Sequence, residues 1–242
     1  MNIGLDPVDD ANEKNISRMK KLISTLMVAL GAAPVAAQAP GKIETINSKS
    51  IRFTMPTVAT DDLKFVMPTA ETFRGAPQFH EDEWAQVEFF PSTRLAEVQR
   101  RLVEYKAFEQ SHRGPHGWTD IYARRLSRSP VVGGTAAVEE LASKVHGSRL
   151  PSPILTTSSK PLGQVEGGFS IRLNEKVHLY GLADRAGINV LAAILDRGAD
   201  DTALTSAFLA LRKSKEVILV DWRSQMVLVG STSSGSLEVW RP

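Results

Sequence analysis

The chain has 242 residues, 42% hydrophobic and 23% charged, with a formal net charge of +2 and no cysteine. Ordinary apolar content and a small net charge exclude disorder as the main state, and the charge balance leaves no basic footprint for nucleic acid. The missing cysteine excludes a disulfide scaffold, a thiol nucleophile, cysteine-ligated zinc and a lipid anchor on an N-terminal cysteine.

Residues 1–18 are polar and acidic, with Asp6, Asp9, Asp10 and Glu13. From Met19 the text changes to MKKLISTLMVALGAAPVAAQAPGK. Lys20 and Lys21 form a positive start, Leu22 to Ala33 is apolar but short for a bilayer, and Ala37-Gln38-Ala39 is a small-x-small site. This pattern predicts an N-terminal extension plus a secretory signal peptide over residues 1–39, with the expected start at Met19, or a longer positive start that includes residues 1–18, and cleavage after Ala39. Those residues hold four Lys/Arg and four Asp/Glu, so cleavage leaves the net charge at +2. No later segment is long and apolar enough to span a bilayer. The expected location is a periplasm or the medium. Residues 40–50 read as a linker before a globular region over 51–242.

That region opens on a near repeat, IRFTMPTVAT then LKFVMPTAET, separated by Asp61-Asp62. Ile51, Phe53 and Met55, and then Leu63, Phe65 and Met67, alternate as on a strand with one buried face. Pro56 and Pro68 end each strand. The repeat is expected to be either a hairpin on the core sheet or an exposed arm offered to another protein by strand addition.

Trp84 to Phe90 reads as a strand. Ser92 is placed to cap the helix that follows, in which Leu95, Val98, Leu102, Tyr105 and Phe108 make one apolar stripe. Glu97 with Arg101 and Arg100 with Glu104 are spaced to pair on its wet side. The helix ends before Gly114-Pro115, and Trp118 to Leu126 reads as a strand. Thr135 to Val145 reads as a short helix. Residues 151–168 read as a Ser/Thr/Pro/Gly-rich loop and a candidate sub-domain boundary. Phe169–Leu173 and Val177–Leu182 are strands. Ala183 to Arg197 reads as a helix, with Ile188, Leu191, Ala192 and Leu195 on one face, and a second helix runs from Asp200 or Asp201 to Lys213. Val217–Trp222, Met226–Gly230 and Leu237–Trp240 form an antiparallel meander. The expected class is α+β: a strand–helix–strand unit, then a unit with two helices and the C-terminal meander.

For chemistry, His112-x3-His116-x3-Asp120 carries a metal-like spacing, although Gly114-Pro115 keeps the histidines off one helical face. His80-Glu81-Asp82-Glu83 sets an imidazole beside three carboxylates. Neither the GSTSSGS stretch nor Thr157–Lys160 fits a serine-hydrolase pattern, and no phosphate-binding glycine loop occurs. Arg124 and Arg125 lie in an arginine-dense region able to grip an anionic partner. The first functional reading is therefore a non-enzymatic envelope or secreted protein. It would bind another such protein through Phe53, Met55, Phe65, Met67, Arg124 and Arg125, with no cofactor implied. The second is a periplasmic or secreted hydrolase or metal-dependent enzyme using His112, His116 and Asp120.

Overall fold

The sequence VEFFP puts two phenylalanines side by side, and on a strand adjacent residues face opposite ways. In the computed structural model, which describes residues 53–233 and 235–242, Val87–Pro91 forms β4. Phe89 and Phe90 are both buried and belong to cores on opposite faces of one sheet. A strand covered on both sides sits in the middle of a layered structure. The expected signal peptide, the linker, and Ile51 and Arg52 of the repeat lie outside the described residues.

Ahead of β4 come β1 (Thr57–Ala59), β2 (Phe65–Val66), α1 (Ala70–Gly75) and β3 (Gln78–His80). A turn of 3-10 helix at Glu81–Glu83 leads into β4, and another at Ser92–Arg94 leads from it into α2 (Leu95–His112). The two-residue strands β5 (Arg113–Gly114) and β6 (Gly117–Trp118) follow, then β7 (Tyr122–Arg124), β8 (Val132–Gly133), α3 (Ala137–Lys144) and β9 (Ser148–Leu150). The hairpin β10 (Ile154–Thr156) and β11 (Pro161–Val165) precedes the long strands β12 (Gly168–Asn174), β13 (Val177–Asp184) and β14 (Gly187–Leu195). Last come α4 (Thr202–Arg212), β15 (Val217–Asp221), β16 (Met226–Ser231) and β17 (Leu237–Trp240).

The principal sheet runs β17-β16-β15-β4-β14-β13-β12-β9, with β8 on the end of β14, and every pairing in it is antiparallel. Phe89 sits between Leu191 and Leu219 in register. On that face α3 and α4 pack Leu141, Leu204, Phe208 and Leu211 against the sheet. On the opposite face α2 sets Val98, Leu102 and Tyr105 on Phe90, Ile218 and Val220. The other half of that face is covered by a second sheet, β2-β11-β10-β3, through Phe79, Leu155 and Val165 against Tyr180, Val190 and Ala192. Each fully buried Phe or Leu contributes about 1.5–3 kcal/mol of transfer free energy. Gly181 is required where β13 and β14 close up: a Cβ there would lie 1.7 Å from the Val190 carbonyl oxygen. No described helix is long and apolar enough to cross a membrane.

The chain is mixed α+β, and the C-terminal meander lies where the pattern puts it. Other expectations are corrected. Residues 187–195 (GINVLAAIL) are a strand, not a helix. Ile188 and Leu191 face the α3/α4 core while Val190 and Ala192 face the other side, and a segment buried on both faces shows apolar residues at helical spacing too. The strand–helix–strand unit does not share a sheet, because among the described residues β7 pairs with β1 and not with β4. Residues 151–168 carry the β10–β11 hairpin rather than a loop. Ser92 does not cap α2; it opens a 3-10 turn and donates to Glu216 at 3.2 Å. Glu97 pairs with Arg94 (2.6 Å), not Arg101, while Arg100 and Arg101 both reach Glu104.

Candidate functional site

Among the described residues, the two copies of the repeat do not pair with each other. β1 lies parallel to β7, and β2 lies antiparallel to β11. The shared text Met-Pro-Thr-x-x-Thr performs two tasks. In the first copy Thr57 Oγ1 donates to the Tyr122 carbonyl (2.8 Å) and Thr60 Oγ1 to that of Arg124 (3.0 Å), fastening a strand. In the second copy Thr69 and Thr72 form a capping box: Thr72 N–H donates to Thr69 Oγ1 (3.2 Å) and Thr69 N–H to Thr72 Oγ1 (3.0 Å), starting α1. The residues between the threonines agree with this, Val58-Ala59 in the strand and Ala70-Glu71 in the helix.

Asp61, in the connection, holds the repeat to the body. Arg128 Nε and Nη2 donate to its two carboxylate oxygens at 2.7 and 2.6 Å, and the Trp84 indole N–H donates to Oδ2 at 2.9 Å. Arg128 also reaches Glu88, which is 1% exposed. Burial pushes the Glu88 carboxyl up, against the pull of Arg128.

Arg124 and Arg125, expected together on a partner-gripping face, separate by strand alternation. Arg125 is exposed. Arg124 is buried, donating to Thr57 Oγ1 (2.9 Å), Gln86 Oε1 (3.3 Å) and the Ala85 carbonyl (2.9 Å), with its guanidinium 5.0 Å from the Trp222 ring centroid. Burial pulls it down to about 10, so it remains charged at neutral pH. It is part of the core and not of an exposed face. It also helps hold Ala85 at φ 53°, since the Ala85 carbonyl accepts from Arg124 and the Ala85 N–H donates to Tyr180 Oη (2.9 Å).

Of the apolar partner candidates, Phe53 is half-buried and bridges Trp118 through both backbone groups, and Met55 is half-buried. Phe65 packs against the core beneath the second sheet. Beyond it the chain emerges: Val66 is 44% exposed, Met67 90% and Phe73 45%. These three border a groove of about 730 Å³ between the β2–α1 segment and Pro161, Leu162 and Gly163 of β11. β2 is an edge strand, paired on one side by β11 and without a strand partner on the other among the described residues. Gly163, at φ 132°, would set a Cβ 2.9 Å from the Val66 carbonyl oxygen, so glycine permits the close pairing that places this edge.

The expected metal ligands are dispersed in role. His112 stacks on Phe108 (centroids 4.0 Å apart), and its Nδ1 lies 2.8 Å from the Phe108 carbonyl oxygen. His116 is exposed in the turn between β5 and β6, and Asp120 Oδ1 accepts the Ile121 N–H (2.8 Å). Among the described residues no group of three His, Cys, Asp or Glu is arranged to hold a metal ion. His80 Nδ1 accepts the Asp82 N–H (3.3 Å) at the start of a 3-10 turn.

Sequence reasoning missed the buried carboxylates Glu88 and Asp221. The signal was present: each is a single charge in an otherwise apolar strand, VEFF and VILVD. Such a charge is retained inside only with partners. The fold and the groove define an α+β protein with an open, apolar sheet edge. No family model, curated protein or solved structure matches the chain.

Proposed function

We propose that this chain is an exported, non-enzymatic protein that binds another envelope or secreted protein through the edge of β2. The observation that carries this is the exposed strip of Val66, Met67 and Phe73 beside an unpaired strand edge. Large apolar side chains next to open backbone donors and acceptors are an aggregation liability unless something covers them. An extended apolar segment of the partner fits both features. Its main chain continues the β2 ladder and its side chains enter the groove. Export rests on Lys20, Lys21, the apolar run Leu22 to Ala33 and the Ala37-Gln38-Ala39 site. The mature chain is expected to begin at Pro40, which N-terminal sequencing reads directly.

The test is chemical cross-linking in the native envelope with mass spectrometry of the linked peptides. Lys64 stands beside β2 and is exposed. Links from Lys64 to one defined second protein, lost when Val66 is replaced by aspartate, support the reading. Links from Lys64 that stay within the chain overturn it.

A further inference from the structure

β4 separates β14 from β15 only down to Val87, which pairs with Ala193 on one side and Asp221 on the other. Below that point the turn at Ala85 carries the chain out of the sheet, while β14 runs on to Leu195 and the β15–β16 turn continues through Arg223. The gap left between these neighbours is a cavity of about 270 Å³, lined on the helix side by Leu204 and Thr205 at the start of α4. Most of its wall is apolar, with Phe79, Val87, Leu195, Leu219 and Met226. An apolar cavity of about 150 Å³ holds benzene, so this one is of a size for roughly one aromatic ring with a short chain.

The polar lining has partners for its acceptors but not for its donors. Asp221 accepts the Ser224 N–H at 2.9 Å, the Ser224 side chain and the Arg223 backbone N–H. Gln86 is turned away, donating to the Thr57 and Asp82 carbonyls and accepting from Arg124. Asp196 and Arg197 are exposed and of opposite sign. Arg223 Nη2 lies 2.6 Å from Glu83 Oε1, and Asp221 is a second acid near the same guanidinium. Opposite charge is therefore present at Arg223. Hydrogen bonding is not: Nε and Nη2 are both buried, and neither has an aligned acceptor among the described residues. Buried donors left in this way are costly. What the site lacks is an acceptor and not a charge.

We propose that this cavity is a binding site for a small neutral carbonyl compound with an apolar body about the size of an aromatic ring, its oxygen accepting from Arg223 Nε and Nη2. A carbonyl oxygen has two lone pairs, enough for both donors. A carboxylate ligand could accept the same bonds, but it would stand against Glu83 and Asp221 in a site of low dielectric. An ammonium brings only donors, which are already in excess. The site is independent of the β2 edge and of any protein partner.

The test uses three probes of nearly equal shape: benzylacetone, hydrocinnamate, and the alkene in which a methylene replaces the benzylacetone oxygen. Each is titrated into the purified protein and followed by nuclear magnetic resonance near pH 7. The ketone is expected to bind more tightly than hydrocinnamate. It is also expected to move the Arg223 Nε–H resonance downfield, which the alkene does not do. In R223M the ketone should weaken about tenfold relative to the alkene, the increment of one charge-assisted hydrogen bond. Thr205 is half-buried at the cavity wall, so T205W fills the space without entering the core and is expected to abolish binding of ketone and alkene alike. If R223M fails to fold, the wild-type ranking, the Arg223 resonance and T205W decide. Tighter binding of hydrocinnamate, no binding of the ketone, or an Arg223 resonance that the ketone leaves in place would each overturn the proposal. So would an unchanged ketone-to-alkene ratio in R223M, or unchanged ketone binding by T205W.

Discussion

Arg128 grips Asp61 with two parallel hydrogen bonds of 2.7 and 2.6 Å, and in doing so ties the connection between the two repeat copies to the buried Glu88 of the central strand. The side chains are 23% exposed at Arg128 and 9% at Asp61, so solvent screens the pair little. A fork-shaped guanidinium is needed for this geometry, and lysine cannot reproduce it.

Replacing Arg128 with alanine leaves Glu88 and Asp61 without their cation. The expected loss is about 3–5 kcal/mol in urea denaturation, the range for a buried pair broken on one side. Adding Glu88→Gln to Arg128→Ala should recover part of that loss, because the stranded charge is then gone. A loss of under about 1 kcal/mol, typical of a surface pair, would show that the clamp is not buried in solution.

Asp221 sets a pH dependence of definite sign. Burial raises its carboxyl above the ordinary 3.8, and burial likewise raises Glu88 above 4.5. Between the unfolded and folded values the folded state therefore holds more protons than the unfolded chain. Stability falls as pH rises through that interval. Asp221→Asn removes one of these two buried carboxyl groups while keeping an oxygen to accept the Ser224 N–H. Its urea midpoint should exceed that of the unsubstituted protein at pH 7, with a smaller gain at pH 4. A lower midpoint at pH 7 would show that the Asp221 charge is compensated.

His112, His116 and Asp120 give a direct check on the metal reading of the sequence. Stoichiometric zinc should leave the thermal midpoint within about 1 °C, since a ligand without a preformed site adds little stability. His116→Ala should behave like the parent. A zinc-dependent rise lost in His116→Ala would restore that site.

Met67, at 90% exposure, is surplus to folding. Met67→Gln is expected to change stability by less than about 0.5 kcal/mol, as at other surface positions, and to reduce self-association in sedimentation at high concentration. Loss of stability would mean that Met67 packs inward.

What the sequence made legible follows from one-sided burial. The α2 stripe of Val98, Leu102 and Tyr105 has a wet back, so its period is plain. The β15–β16–β17 meander is marked by turns between strands. Where burial is two-sided the period is lost, and GINVLAAIL of β14 reads as a helix. The repeat misled for a different reason. Two copies of Met-Pro-Thr-x-x-Thr look like two strands of one hairpin, but their hydroxyls serve whichever backbone groups are near: carbonyls of β7 in one copy, N–H groups of α1 in the other. The strand edge of β2 was foreshadowed by Phe65 and Met67. The cavity under β4 was not, because it is made by where β4 stops, a fact of pairing between strands about 100 residues or more apart in the chain.

The most direct measurement is site-specific photo-cross-linking with a benzophenone amino acid at position 67, run in the native envelope beside the same probe at exposed Arg125. A single defined adduct at 67, absent at 125 and lost on adding Val66→Asp, is the expected result. The same adducts at both positions, or none at 67, would contradict docking at the β2 edge.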